Sequence, residues 1–410
     1  MRKEGLWVSV ILVPTALWGF FGLFDPIPAS GEIVKVGMLR METKHFSPQI
    51  SNSIRMALQD VHNQGILGNE RTLQLIERYV PSDPRGVRDV VEKLITRDRV
   101  SILLTSVPED APVFEIASVA QAHKVPLLVF LCGADRITEQ GWEYVFRLSL
   151  PASEYFNGIR HFLSMVARPK TFACLYVEGL TFFPASMFDN ERKAGMELVL
   201  LQQYSKDTTD FKPLLRRLKE RNPDAIYLIS YAEDGALLLN QCREMDVTPK
   251  VMIGMVAYPL PGFWKLAGEA ANYVIAPTYW VPSLPYPGCR EYHDRYLKKY
   301  GTPPDYFSAM AYAAVQVLAD VARRARSVSP ADLREALAST DMIAIPGKVK
   351  FVSYGKKTQQ NRFPQYLIQW VDGKPRTVWP PEWASYQYIY PFPKWQKPGL
   401  VGVPFRILNR

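Results

Sequence analysis

Short apolar runs alternate along the chain with segments whose apolar residues recur every three or four positions. Residues 33–39 form the first run, and the next segment carries one apolar stripe made of Ile50, Ile54, Ala57, Leu58 and Val61. The same alternation predicts strands at 73–77, 100–104 and 125–131, with helices between them. Because parallel strands are joined through crossover helices, we expect an α/β protein built on parallel sheets.

A second set of strands and helices begins after residues 146–151, which we interpret as a crossing between two domains. Its predicted strands are 172–177, 198–201, 225–229, 250–253 and 273–276, and its predicted helices are 185–194, 210–221 and 233–245. The proline-rich segment 277–287 predicts a second crossing, and 345–351 a third. Helices are expected at 288–300 and 305–326, and a strand at 365–371 is followed by an Asp372-Gly373 hairpin turn.

These boundaries divide the chain into two lobes and two terminal segments. The first lobe is predicted to contain residues 32–148 and 283–345, and the second 149–282 and 346–380. Residues 381–410 form a tail rich in proline and aromatic residues. A chain of 410 residues is too long for one ordinary core and long enough for two domains.

The first 31 residues are typical of a secretory signal. Arg2 and Lys3 precede an uncharged run at 6–24, and the small residues Ala29, Ser30 and Gly31 follow, so we expect cleavage after Gly31 and a periplasmic protein. The run is close to the length of about 20 residues that spans a bilayer, which leaves an uncleaved membrane anchor as the alternative. No cysteine near this segment could carry a lipid, and no later segment is apolar enough to cross a membrane.

Charge and cysteine content remove several classes of function. The net charge is +9, but the basic residues are scattered and do not alternate with a stacking platform, so we do not expect nucleic acid to bind. The chain has four cysteines, and their spacing fits neither a redox motif nor a metal site. Those within apolar patterns, Cys174 and Cys242, are predicted to be buried thiols. Neither a cofactor nor a metal is predicted.

Several segments, in their order along the chain, together resemble one known protein family. They are 34–37, 53–65, 125–128, 312–318 and 379–382, and the strongest runs from Asp210-Phe211 through 214–219 to Pro223-Asp224. Together they resemble the type I periplasmic binding proteins, in particular the branched-chain amino acid (Leu/Ile/Val)-binding family of ABC importers. The resemblance implies two doubly wound parallel-sheet lobes joined by three hinge crossings, with a small solute bound in the cleft between them. It also implies a membrane permease with its ATPase subunits as partners.

The family holds an amino acid through a hydroxyl-bearing loop, which binds the carboxylate, and an acidic group, which binds the ammonium. This sequence departs from both. Glu109 and Asp110 stand where the family has serine or small residues, although Asp110 could simply cap its helix. Val256 stands at the acidic position.

A second loop, which forms part of the binding site in the resembled family, also differs in this sequence. The turn that should bring a hydroxyl contains Cys132, Gly133 and Ala134, whose backbone N–H groups can still donate.

Aromatic residues are the other candidates for the cleft. Tyr231 matches an aromatic residue of the family cleft, Phe46 matches one in the first loop, Phe182 or Phe183 a third, and Tyr279 flanks the second crossing. Each could instead be plain packing. With the ammonium partner lost and the aromatic walls kept, we expect a solute other than an ordinary branched-chain amino acid, such as an amide, an aromatic acid or a polyol.

Two other functions compete with solute delivery. A hydrolase could use Glu109 and Asp110 with Asp135 or Glu233 across the cleft, but neighbouring carboxylates usually point apart, and no nucleophile elbow or phosphate loop accompanies them. We therefore expect a protein that is not an enzyme. A periplasmic subunit that presents its ligand to a separate sensor is the second alternative. The protein is expected to be a monomer.

Overall fold

The computed structural model describes residues 31–41, 47–68, 70–181, 183–184 and 191–395. The strands of the first half are β1 (Glu32–Arg40), β2 (Arg71–Tyr79), β3 (Ile102–Thr105), β4 (Leu127–Val129), β5 (Val145–Arg147), β6 (Thr171–Val177), β7 (Glu197–Tyr204) and β8 (Ala225–Ser230). The remaining strands are β9 (Val251–Val256), β10 (Ile275–Thr278), β11 (Asp341–Ala344), β12 (Gly347–Lys350), β13 (Val352–Tyr354), β14 (Lys357–Gln360), β15 (Tyr366–Val371) and β16 (Lys374–Trp379).

The α-helices cover the faces of two large sheets. They are α1 (Ser47–Asn63), α2 (Pro84–Thr96), α3 (Asp110–Ala122), α4 (Ala152–Phe162), α5 (Lys212–Arg221), α6 (Ala232–Glu244), α7 (Phe263–Ala267), α8 (Cys289–Tyr300), α9 (Tyr306–Arg324) and α10 (Pro330–Ala338). A π-helical turn (Leu163–Ala167) extends α4, and short 3-10 helices lie at Asp135–Thr138, Gly268–Ala271 and Pro381–Trp383. No described helix is both long enough and apolar enough to span a bilayer.

Each lobe contains one mostly parallel sheet, as predicted, and each sheet has seven strands, with antiparallel pairs at one edge. The first has the order β13-β14-β5-β4-β3-β1-β2, and the second the order β16-β15-β10-β9-β8-β6-β7. Strands such as β3 and β8 are buried along their whole length, because helices cover both faces, and their sequences are accordingly almost entirely apolar. In each sheet the chain order reverses next to the first strand of the lobe, which is where open parallel sheets bind ligands.

Three chain segments cross between the lobes, and the third differs from the prediction. We placed it at 345–351 and assigned 346–380 to the second lobe. In the structure β13 and β14 still belong to the first sheet, where Gln360 pairs with Arg147 of β5. The third crossing is therefore 361–365, next to the first crossing at 148–151. The second crossing follows Thr278, the last residue of β10.

Local turn chemistry agrees with the sequence at two sites. Asp372 and Gly373 connect β15 to β16 with φ angles of 49° and 74°, the left-handed pair that a tight hairpin requires. Ser329 caps α10 by accepting from the Asp332 N–H. The predicted helix at 185–194 falls largely outside the described residues, as do the proposed signal at 1–31, apart from Gly31, and the end of the tail.

The cysteines and the described tail pack into the structure. All four cysteines are buried free thiols, which confirms the prediction for Cys174 and Cys242. The tail runs along the second lobe, where Tyr390 donates to the Ala167 carbonyl and the Trp395 indole to that of Val247. Among the described residues, His, Cys, Asp and Glu side chains form no group of three that could hold a metal ion.

The packing around Gly254, in β9, allows a test of the hydrophobic core of the second lobe. A Cβ atom at this position would lie 2.2 Å from ring carbons of Tyr258, which is fully buried. We expect Gly254→Ala to lower the free energy of unfolding by about 1–3 kcal/mol because the ring has no room to move. Urea unfolding measures this. The control is Gly262→Ala, where nothing lies within 4 Å, and a comparable loss in the control would contradict the packing argument.

A buried carboxyl group in the second lobe makes stability depend on pH. Burial raises the pKa of Glu191 to about 7, although the Tyr227 hydroxyl donates to it at 2.7 Å and Arg160 lies near. The folded state therefore holds this proton more tightly than the unfolded state. The contribution of Glu191 is present below its ordinary pKa of 4.5 and is lost as the pH rises to about 7.

Glu191→Gln removes this titration while an amide oxygen can still accept from Tyr227. Relative to the unmodified protein, we expect the variant to gain about 1–3 kcal/mol of stability between pH 5 and pH 8. Urea unfolding at a series of pH values measures the difference. Parallel stability curves for the two proteins would show that Glu191 is ionised in the fold.

Candidate functional site

A cavity of about 40 Å³ lies between the lobes, at the carboxyl ends of the parallel strands. The first lobe supplies loop residues after β3 and β4 and the start of α9. The second lobe supplies residues after β6 and β8, the last two residues of β9, Pro277 of β10 and the start of α4. The cavity is lined by Pro108, Leu131, Gly133, Tyr155, Leu180, Phe183, Tyr231, Met255, Val256, Pro277, Tyr306 and Phe307. None of these twelve side chains is charged.

The structure brings four of the predicted site residues together. Gly133, Phe183, Tyr231 and Val256 all line the cavity, from both lobes. Tyr279 is fully buried behind it, with its ring 5.9 Å from that of Tyr155. The other two predicted aromatic residues, Phe46 and Phe182, lie outside the described residues.

Glu109 and Asp110 occupy different positions at the start of α3. Asp110 is the first helical residue rather than the cap, and its carboxylate pairs with Arg136 at 2.8 Å, which directs it away from the cavity. Glu109 occupies the cap position without a capping hydrogen bond from its side chain. Its carboxylate lies close enough to Tyr231 of the opposite lobe to affect that phenol.

Tyr231 is a neutral hydrogen-bonding group in an apolar wall. Burial, followed by the nearby carboxylates of Glu109 and Asp234, raises the pKa of Tyr231 above that of an ordinary phenol. The hydroxyl therefore keeps its proton at neutral pH and can donate to a bound solute.

The turn at 132–134 forms the floor of the cavity, and its carbonyl groups all point into the protein. Cys132 O accepts from the Ser149 hydroxyl, Gly133 O from the Ala152 N–H at 2.6 Å, and Ala134 O from Arg147 at 2.5 Å. Cys132 and Ala134 are almost fully buried and do not line the cavity, so Gly133 alone presents this turn to a solute. Burial also raises the pKa of the Cys132 thiol to about 12, which leaves it without nucleophilic character.

Three aromatic residues that line the cavity were not among the predicted site residues. Tyr155 lies in the first turn of α4, directly after the first crossing, and Tyr306 and Phe307 begin α9. A usable signal existed, because Asp305 is a clear helix cap and both aromatics follow it at the start of an otherwise buried helix.

One hydrogen bond joins the lobes across the cavity. The Tyr306 hydroxyl of α9, in the first lobe, donates to the Val256 carbonyl of the second lobe at 2.7 Å. Val256 has a φ angle of 67°, a left-handed conformation that a β-branched residue rarely adopts. We name the contact between these two residues the cleft bridge. It holds a strained backbone position at the point where the two lobes meet.

Two of the carboxylates considered for catalysis, Asp110 and Asp135, are paired with cations. Asp135 pairs with Lys357 at 2.7 Å and accepts from the Ser153 N–H at 3.0 Å. The resulting site is a largely apolar cavity with five aromatic residues in its wall, and it offers a phenol and the Gly133 backbone to a small solute.

Comparisons with known proteins agree with this geometry. "Leu/Ile/Val-binding protein homolog 7" of Brucella suis is 29% identical over 378 residues, which cover 86% of this chain and 92% of that protein. A leucine-binding protein from Thermotoga maritima superposes with a TM-score of 0.74 at 18% identity and covers 84% of this chain and 97% of its own. A solute-binding protein from R. palustris in complex with benzoate superposes with a TM-score of 0.69 at 19% identity, covering 85% and 96%.

The family model described as "Periplasmic binding protein" matches residues 34–375, which include both lobes and all three crossings. The members of this family are solute-binding proteins rather than enzymes. The chain therefore belongs to the periplasmic binding protein family, as a type I member that is similar to the Leu/Ile/Val-binding homologues.

Proposed function

We propose that the protein is the periplasmic component of an ABC importer and captures a small, uncharged aromatic or amide-bearing solute between its lobes. The observation that carries this proposal is the chemistry of the cavity wall. Five of its residues are aromatic, Tyr155, Phe183, Tyr231, Tyr306 and Phe307, and no charged side chain stands among the described residues that line it.

The uncharged side chains that line the cavity do not suit a zwitterionic amino acid. An ammonium group that loses its hydration needs an acidic or carbonyl partner. The family position for the acid is Val256, and the Val256 carbonyl already accepts from Tyr306. A carboxylate would meet no cation in the described lining and would approach Glu109, so a neutral amide suits the site better than an acid. A polyol would leave most of its hydroxyl groups against apolar side chains.

A cleft between two lobes that can close over a solute is consistent with a role in transport. A solute that contacts both walls favours the closed form, and a permease can distinguish closed from open lobes. We propose a membrane permease with its ATPase subunits as the partner, and a monomeric periplasmic state. A ligand-presenting sensor subunit would use the same cleft and is the second candidate, while the hydrolase alternative has no support, because Asp110 and Asp135 are both paired with cations.

Isothermal titration calorimetry tests the solute class. We expect leucine, isoleucine and valine to bind weakly or not at all, whereas a neutral aromatic amide such as benzamide binds and releases heat. Micromolar leucine binding would overturn the proposal. Benzoate is the third arm, and stronger binding of benzoate than of benzamide would contradict the preference for an uncharged solute.

Val256→Glu provides the complementary gain of function. A carboxylate at this position supplies the missing ammonium partner, and the exchange also removes a β-branched residue from a left-handed backbone. We expect leucine affinity to rise at least about tenfold over that of the neutral control Val256→Gln. Equal leucine affinity in the two variants would show that this side chain does not face the solute.

Tyr306→Phe tests the cleft bridge. The variant loses one hydrogen bond and leaves the Val256 carbonyl without its donor, so the ratio of open to closed protein should rise by about 5-fold to 30-fold. Small-angle X-ray scattering of the solute-free protein measures this as a larger radius of gyration. Tyr300→Phe is the matched control, because the Tyr300 hydroxyl donates to Asn52 O at 3.2 Å within the first lobe. Equal scattering from both variants would show that the bridge does not hold the lobes together.

A further inference from the structure

A second, larger concavity lies at the hinge, on the other side of α4 from the cleft. This hinge groove measures about 470 Å³ and is bounded by α4, the third crossing and the end of β16. Tyr155 of α4 faces the cleft cavity, whereas Glu154, Gly158 and His161 line the hinge groove. Their spacing of four and three residues places them on one helix face. A solute in the cleft therefore cannot reach the groove.

The hinge groove combines a buried apolar floor with a polar edge. Leu150, Phe363 and Trp379 line it and are 1%, 6% and 5% exposed. At the edge, Arg362 pairs with Glu154 at 3.3 Å. The volume lies within the range of small-molecule sites, about 300–1,000 Å³.

Two lining residues carry buried N–H donors that have no acceptor in the described part of the chain. The Gln365 amide accepts from the Gly158 N–H at 2.8 Å, but its own Nε2 donates to nothing. The Trp379 indole Nε1 is also without a partner. Buried donors are nearly always satisfied in folded proteins, so two such donors in the wall of one groove require an explanation.

We propose that the hinge groove is a second binding site, which takes a small molecule with an apolar ring and a carbonyl or carboxylate acceptor. The ring rests on the floor made by Phe363 and Trp379, and the acceptor receives the Gln365 and Trp379 donors. The exposed His161 ring, 5.1 Å from that of Trp379, swings outward to admit it. Arg362 and Glu154 offset each other at the edge, so both the neutral and the anionic acceptor are compatible with the site.

Occupancy of the hinge groove should affect closure. Leu150 belongs to the first crossing, and Phe363 and Gln365 belong to the third. A bound molecule thus contacts two of the three segments that must bend when the lobes move, together with the first helix of the second lobe. The site is suited to an effector that biases the hinge without entering the cleft.

Nuclear magnetic resonance of the protein labelled with ¹⁵N-tryptophan tests the site. The chain has nine tryptophans, and the Trp379 indole signal is assigned by its absence in Trp379→Phe. We expect the signal to shift saturably downfield on titration with cyclohexanecarboxamide or cyclohexanecarboxylate, and the two probes distinguish a carbonyl from a carboxylate site. Gln365→Glu keeps the acceptor for Gly158 but removes one donor, so the dissociation constant should rise about 5-fold to 10-fold.

Two variants separate the hinge groove from the cleft. Gly133→Leu fills the cleft cavity and should leave the Trp379 titration unchanged, whereas Asn157→Phe, at an exposed position that lines the groove, should abolish it. The proposal is overturned if the Trp379 signal stays fixed up to millimolar probe. It is equally overturned if the shift disappears in Gly133→Leu, because the signal would then report lobe closure. Neither result bears on solute capture in the cleft, which calorimetry measures separately.

Discussion

A buried cation, the guanidinium of Arg147, joins the cleft to the hinge. Its side chain is fully buried at the end of β5 and donates to Ala134 O at 2.5 Å, to the Thr138 hydroxyl at 2.9 Å and to the Gln360 amide oxygen at 2.5 Å. Burial lowers the pKa of Arg147, and the nearby Asp135 carboxylate opposes that shift. Removing a partner from a buried charge costs about 3–5 kcal/mol. The cation therefore requires the cleft floor, the first crossing and the third crossing to keep fixed positions.

The rest of the hinge follows from this constraint. Gln360 also donates to Ser149 O at 2.8 Å, and Asn361 donates to Leu148 O at 3.1 Å, so the first and third crossings run side by side. Asp135 reaches over the start of α4 and accepts from Ser153, which places the first helix of the second lobe directly on the turn of the first. The cleft floor is thus built from a loop but held by buried polar groups, which gives a mobile pair of lobes a rigid binding surface.

The sequence predicted the parts of the fold that depend on periodic apolar burial. The two mainly parallel sheets and the hairpin at Asp372-Gly373 follow from local patterns, whereas the strand order comes from the structure. The third crossing was misplaced because β13 and β14 are short and largely polar at the edge of the first sheet, and only their pairing beside β5 assigns them to that lobe. Arg147 was overlooked for a related reason. A lone arginine in an apolar strand has no local partner, and all its acceptors come from other segments.

Most of the site residues that the sequence predicted correctly lie at or shortly after the end of a strand. Gly133, Tyr231 and Val256 lie within four residues of a strand end, and strand ends meet at the cleft in any doubly wound sheet. Tyr155 and Tyr306 line the same cavity from the starts of two helices. Only tertiary packing places them there, so no local pattern predicts it. The presence of these two tyrosines in the wall changes the chemistry of the site. The Tyr306 hydroxyl already donates to the Val256 carbonyl, and the second lobe has no acidic side chain at that position. The scaffold that holds an amino acid in its relatives here presents a wall with five aromatic residues, and recognition of an ammonium group would require at least an acidic side chain at position 256.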